Sequence, residues 1–344
     1  MSRSMPVPVR RAVLTVMTVV LCAFTAVMPA ASADPAAATG AAQQDTYTNL
    51  AYVAGGNGRQ VLDLYLPQHV GRPVALVLYI HGGGWAGGDK SELQANSGWQ
   101  TYLNQGFAVA SINYTLSDTA KFPQQIYDVN AAIRFLRANA GKYRLNGKIG
   151  LWGGSAGGQL AALAGASCGV SSLQNKEGVT KGSSCVQAVV DGMGPTDFLE
   201  MDDHLYDSTS LKHDPANSAE SRYLGCAQGL KACPASTVER ANPITYLTTS
   251  SQVPPYFIVH GDADTLVPHW ESEILFDALR SVCADATFTT VHGEGHMLFL
   301  TGALDPPYPA VTVQSSQGCA PVTTSDGPSL TWGAIGAFFG SHLR

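Results

Sequence analysis

Charge is scarce in this chain. Only 13% of its 344 residues are Asp, Glu, Lys or Arg, and the balance is acidic: 20 basic against 26 acidic side chains, a formal net charge of −6. No run of Lys and Arg occurs outside the extreme N-terminus, so nothing steers the protein to polyanions and a nucleic-acid partner is excluded. C-x-x-C is absent and no histidine clusters with the cysteines, so no metal site is expected. Internal repeats and interdomain linkers are lacking too. The apolar run at residues 12–27 is short of the ~20 residues a membrane span needs, and no stop-transfer pattern follows it. What remains is an apolar chain, 45% hydrophobic, long enough for one large α/β domain or two small ones.

The N-terminus carries an export signal. Arg3, Arg10 and Arg11 form a positive region, the apolar run follows, and Ala31-Ser32-Ala33 supplies small residues for cleavage near Ala33. Residues 1–33 are therefore read as a signal peptide, residues 34–46 as a flexible leader, and 47–344 as a single domain of an extracellular protein without a stable membrane anchor. Cys22 leaves with the signal. The even set that remains, Cys168, Cys185, Cys226, Cys233, Cys283 and Cys319, suits disulfides in an exported chain. Pairing neighbours in sequence gives Cys168–Cys185, Cys226–Cys233 and Cys283–Cys319 as the simplest pattern.

Two runs, 47–54 and 60–66, flank Gly55-Gly56-Asn57-Gly58 and read as a hairpin. From Val74 the pattern changes. Residues 74–80, 107–112, 148–152, 186–190, 256–260 and 286–291 are short, nearly continuous apolar runs, the mark of strands buried on both faces. Ile126, Val129, Ile133 and Leu136 recur at helical spacing between them, and helices are expected near 269–281 and 331–342. Alternating strands and helices imply a mainly parallel sheet covered on both sides. Residues 192–250 break this rhythm and read, from position, as a cap or lid. Residues 301–329, rich in Pro, Ser, Thr and Gly, read as loop.

Four segments carry chemistry. Gly153-Gly154-Ser155-Ala156-Gly157 fits G-x-S-x-G between a strand and a small-residue helix, the nucleophile elbow. His81-Gly82-Gly83-Gly84-Trp85 follows a buried strand and matches the HGGG loop that lends backbone N–H groups to an oxyanion. Gly83, Gly84 and Ala156 are the expected donors. Trp85 is an alternative donor whose indole could line the pocket, and His81 braces the loop. Past the strand at 256–260 comes Gly261-Asp262-Ala263-Asp264, and past the next, His292-Gly293-Glu294-Gly295-His296. Asp264 is expected to orient His296, the base, which serves Ser155. Asp262 is the competing candidate for the acid, expected instead to shape its own turn through a local side-chain to backbone bond. His292 reads as structural, and His260 and the other histidines carry no pattern.

The motifs together resemble the α/β-hydrolase superfamily, near the hormone-sensitive-lipase-like and the feruloyl- and acetyl-esterase-like carboxylesterases. The matching stretches include Leu62-Asp63-Leu64-Tyr65-Leu66-Pro67, the HGGGW loop with Gly88-Asp89-Lys90, Asn113-Tyr114-Thr115, Asn242-Pro243-Ile244 and His260-Gly261-Asp262-Ala263-Asp264. The resemblance implies a mostly parallel sheet of about eight strands, ester hydrolysis through an acyl-serine, no cofactor, and the second aspartate of the last motif as the acid. The substrate would be a small or polymer-linked ester: acetyl or feruloyl groups on polysaccharide, a lipid or a polyester. Alternatives are an amidase or peptidase on the same triad, or a non-catalytic binding protein that kept the fold. Oligomeric state does not follow from the sequence.

Overall fold

The computed structural model describes residues 45–68, 71–95, 97–248, 252–296, 304, 308 and 310–344. The expected signal peptide, and all of the leader before residue 45, lie outside the described residues. The strands are β1 (Thr46–Ala51), β2 (Val61–Tyr65), β3 (Val74–Ile80), β4 (Ala108–Ile112), β5 (Leu145–Gly154), β6 (Ala188–Gly192), β7 (Tyr256–Gly261), β8 (Ala286–Val291), β9 (Val311–Ser316) and β10 (Thr323–Asp326). The helices are α1 (Gly98–Asn104), α2 (Gln124–Ala138), α3 (Ala156–Ala166), α4 (Ala219–Leu224), α5 (Ala235–Glu239), α6 (Trp270–Ser281) and α7 (Trp332–Leu343).

All ten strands form one sheet in the order β1-β2-β4-β3-β5-β6-β7-β8-β9-β10. The six from β4 to β8 run parallel, and antiparallel pairs close both ends. The fold is that of an α/β-hydrolase. Every residue of β3 is buried, because alternate side chains serve two cores. Leu76, Leu78 and Ile80 pack with α2, α3 and α6 on one face. Val77 and Tyr79 pack with α1 and α7 on the other, where Trp152 lies 5.2 Å from Trp332. A strand sandwiched this way has no polar face to alternate, which is why its sequence is a continuous apolar run.

The sequence missed two strands. Residues 301–329 were expected to be loop, and the sheet was expected to hold about eight strands. Instead β9 and β10 extend the sheet antiparallel from β8. The reason lies in their exposure: β10 is exposed along its whole length and β9 is mostly half-buried, so Ser and Thr suffice and no apolar period is written. The segment after β6 is built from short helices and turns, as its composition suggests. In it, Ser218 caps α4 by accepting from the Ser221 N–H, and Gly225 ends the helix in the left-handed region.

The three disulfides join Cys168 to Cys185, Cys226 to Cys233 and Cys283 to Cys319, the pairing that sequence order suggests. They close loops with sequence separations of 17, 7 and 36 residues, and such crosslinks typically contribute ~2–4 kcal/mol each by restricting the unfolded chain. Full reduction is expected to lower the melting temperature by several degrees. Scanning fluorimetry with and without reductant, with thiols counted afterwards, checks this, and an unchanged melt after complete reduction contradicts it.

Candidate active site

The strand register aligns the working ends. Ile80 pairs with Ile112 on one side of β3 and with Gly153 on the other. The chain order reverses at this point, because β4 and β5 leave β3 in opposite directions. A crevice at the carboxyl ends of the strands forms where sheets switch in this way. The loops after β3, β5, β7 and β8 all emerge at this edge, and they carry the candidate residues.

Ser155 stands directly after β5 with φ 58° and ψ −129°, a left-handed conformation that costs a non-glycine residue free energy. Its surroundings hold it there. The Ser155 N–H donates to Gly192 O at 2.8 Å, and Ser155 O accepts from the Gln159 N–H at 3.0 Å. The first turn of α3 sits so close to its neighbours that side chains do not fit. A Cβ on Gly157 would strike the carbonyl of Ile80, and one on Gly158 would strike Asp191. The elbow's glycines are thus clearance for a helix pressed against two strands.

Ser155 Oγ lies 2.9 Å from His296 Nε2, and His296 Nδ1 lies 2.8 Å from Asp264 Oδ2. The Leu266 and Val267 N–H groups donate to Asp264 Oδ1 at 2.7 and 3.0 Å. Burial by itself would push this carboxyl up, but hydrogen bonds from His260 and His296 outweigh it and hold Asp264 well below the usual carboxylate range. Ser155, His296 and Asp264 thus form one hydrogen-bonded line.

Asp262 is not part of that line, and its bonds are not local. Its Oδ2 pairs with His292 Nδ1 at 2.8 Å, and its Oδ1 accepts from the Gly293 N–H at 2.6 Å. The Asp262 N–H donates to Val291 O, and the Ala263 N–H to Glu294 O. Asp262 therefore sews the acid loop to the histidine loop, about thirty residues away in the chain. A turn-shaping role was expected because sequence shows only near neighbours.

The loop after β3 is braced from behind. His81 is fully buried and stacks on Tyr114 with ring centroids 4.2 Å apart. Its Nδ1 lies 2.8 Å from Gly82 O, so Nδ1 carries the proton and Nε2 accepts from Arg59 Nη2 at 3.0 Å. Burial lowers the His81 pKa to about 4, keeping the ring neutral for this role. Arg59 also donates to Gly88 O and Tyr114 O and pairs with Asp89. Asp89 accepts from Asn113, and Lys90 is paired with Asp63 at 2.7 Å in a buried bridge. The stretches Leu62-Asp63, Gly88-Asp89-Lys90 and Asn113-Tyr114 all meet in this web. Replacing Arg59 with Ala is expected to lower kcat at least roughly tenfold, because small misplacements of a reacting site are costly. Steady-state kinetics check it; unchanged kcat would mean the loop holds itself.

Gly83 and Gly84 take φ of 94° and 56°. Among the described residues, the N–H groups of Gly83, Gly84 and Ala156 have no acceptor, which leaves them free for an oxyanion. The Trp85 indole is committed elsewhere. It is buried, donates to Gln159 Oε1 at 3.1 Å and stacks on Tyr223 of α4 at 4.3 Å. It anchors the segment after β6 to the glycine loop.

Two buried acids lie behind the elbow. Asp191 ends β6 beneath α3, and burial raises its pKa to about 7. Glu271 opens α6 and accepts from the Thr196 and Asp197 N–H groups, yet burial still lifts it to about 8. Both are protonated in the folded chain where the unfolded chain has released the proton. The folded state therefore binds more protons above the ordinary carboxyl pKa of ~4, and stability falls as pH rises from there toward 8. Glu271→Gln is expected to flatten that decline, read as denaturant midpoints from pH 5 to 8.5. An unchanged slope would show that Glu271 is ionised in the fold.

A doubly covered, mostly parallel sheet with a serine on a strained strand-to-helix turn defines an α/β-hydrolase. The chain belongs to the BD-FAE family, whose model matches residues 62–279. It is similar to Esterase LipQ of Mycobacterium tuberculosis, 32% identical over 235 residues that cover 67% of this chain and 52% of that protein. A truncated carbohydrate esterase from gut microbiota superposes with a TM-score of 0.67 at 31% identity, covering 76% of this chain and 93% of that one. A bifunctional GH43-CE protein of Bacteroides eggerthii gives 0.66 at 35% identity, covering 76% of this chain and 34% of that one. The chain spans about half the length of the curated relatives it matches.

Proposed function

We propose that this chain is a secreted serine carboxylesterase. The observation that carries the reading is the unbroken line from Ser155 Oγ through His296 to Asp264 beside unpaired loop N–H groups. His296 Nε2 takes the hydroxyl proton as Ser155 attacks the acyl carbonyl. Asp264 fixes the tautomer and stabilises the imidazolium. The N–H groups of Gly83, Gly84 and Ala156 hold the oxyanion, where much of the rate enhancement arises. His296 returns the proton to the departing alcohol, and water then opens the acyl-serine by the same steps. None of these steps needs a cofactor.

For substrate we propose acyl esters carried on carbohydrate, acetyl or feruloyl groups foremost. The similarity to a carbohydrate esterase from gut microbiota and to a bifunctional GH43-CE protein supports this. The reading is tested with matched nitrophenyl esters and anilides, then acetylated and feruloylated oligosaccharides, triacylglycerols and polyester fragments. Activity on the anilide alone sinks the esterase; preference for long-chain lipid sinks the carbohydrate substrate. Export through residues 1–33 is supported by three disulfides, and no helix among the described residues is long and apolar enough to cross a membrane. Mass spectrometry of the exported chain should find its N-terminus near Asp34; a retained Met1 would refute cleavage.

A further inference from the structure

The proposed mechanism gives no role to His260, a buried titratable side chain that touches the acid of the triad. His260 is the penultimate residue of β7, four residues before Asp264, and is completely buried. Its Nε2 lies 3.1 Å from Asp264 Oδ2 and 3.0 Å from Val267 O. Both neighbours are acceptors, and a backbone carbonyl can only accept, so Nε2 must carry a proton. The other nitrogen, Nδ1, lies 2.7 Å from Ser272 Oγ in the first turn of α6. A hydroxyl can donate there, so the ring is satisfied with one proton. The titratable groups around His260 are Asp264, His296, His269, whose ring centroid is 5.4 Å away, and Glu273, which pairs with His269. Burial lowers the His260 pKa and outweighs the attraction of Asp264.

Asp264 thus receives donors at both oxygens. Oδ1 takes two backbone N–H groups, and Oδ2 is shared between two histidines. We infer that His260 is a positioning residue of the proposed triad: its fixed Nε2–H holds Asp264 Oδ2 so that the remaining lone pair aims at His296 Nδ1. The bond to Val267 O also ties the end of β7 to the far side of the acid loop. Ser272 extends the support into α6, so the acid's direction is set by a strand, a loop and a helix together. The donor has a second effect. It draws charge from the oxygen that faces His296 and so tempers the carboxylate's pull on the imidazolium.

This inference rests on the esterase reading. The test therefore begins with the unaltered protein on a nitrophenyl ester, with active sites counted by a serine-directed phosphonate. Failure of that protein to turn over or label takes both readings down. His260→Leu is expected to lower kcat about tenfold to a hundredfold with KM little changed. The acid limb of kcat/KM is expected to move up by about half a pH unit, because His296 faces a less-satisfied carboxylate. His260→Gln, whose amide can donate toward the same oxygen, is expected to recover most of both. A role limited to packing predicts a lower melting temperature with kcat per labelled site and the acid limb unchanged, and that result overturns the inference. So does a folded glutamine variant that behaves like leucine. Should leucine not fold, Ser272→Ala decides: a smaller change in the same direction supports the fixed tautomer, and unchanged kcat and acid limb overturn it.

Discussion

Ser155→Ala is expected to reduce ester turnover by about 10⁶-fold, the scale seen when a triad nucleophile is removed. Nothing else at the elbow can replace the hydroxyl, because the residues around it are glycines and Ala156. The fold has little reason to respond. Among the described residues Ser155 Oγ makes one hydrogen bond, to His296, and the backbone strain at φ 58° is the same for alanine. The melting temperature is therefore expected to stay within about 2 °C of the parent. Kinetics on a freshly purified variant, with phosphonate labelling as a second readout, test this. Retention of even one hundredth of the activity would point to a different nucleophile.

Asp264→Asn is expected to cost about 10⁴ in kcat, the scale of a wrong histidine tautomer. The hydrogen bonds dictate how the asparagine would sit. Two backbone N–H groups require an oxygen at the Oδ1 position, which forces the amide NH₂ to the Oδ2 position. There it meets His260 Nε2–H, which cannot accept, and His296 Nδ1. His296 can satisfy the amide only by moving its proton to Nε2, where it no longer acts as a base toward Ser155. The same exchange at Asp262 is nearly harmless. Its oxygen still accepts from Gly293, and His292, half-exposed, is free to take either tautomer against Thr312. Asp262→Asn is therefore expected to cost less than about tenfold, in keeping with an exposed pair. Parallel kcat measurements on the two variants decide it, and a larger loss at Asp262 would reverse the assignment of the acid.

Much of this arrangement is legible in the sequence for one reason. The strands of the parallel sheet are buried on both faces, so each is an apolar run whose end can be read to within a few residues. The chemistry-bearing loops start where those runs stop: His81 after Ile80, Ser155 after Gly154, Asp264 and His296 a few residues past β7 and β8. The unreadable parts have a common cause as well. The contacts of His260 with Ser272, of Asp262 with His292 and of Trp85 with Gln159 join residues from different elements, and no spacing rule encodes them. His260 stands four residues before Asp264, but four is a helical spacing and here it spans a strand end and a loop. β9 and β10 are hidden for the opposite reason: they bury too little to leave a pattern.

The β8–β9 pair has a consequence for divergence. Cys283 and Cys319 join its two strands covalently at one end. At the other, the His292 N–H donates to Ala310 O, and the His292 ring reaches Thr312 and Asp262. His296 thus hangs four residues from a point fixed on both sides. The connection from His296 to β9 is anchored separately, by buried Leu304 and by the bridge from Tyr308 to Leu330, so that point is held by contacts outside it. Descendants of one ancestor could vary this stretch around those two anchors while inheriting the same reacting atoms.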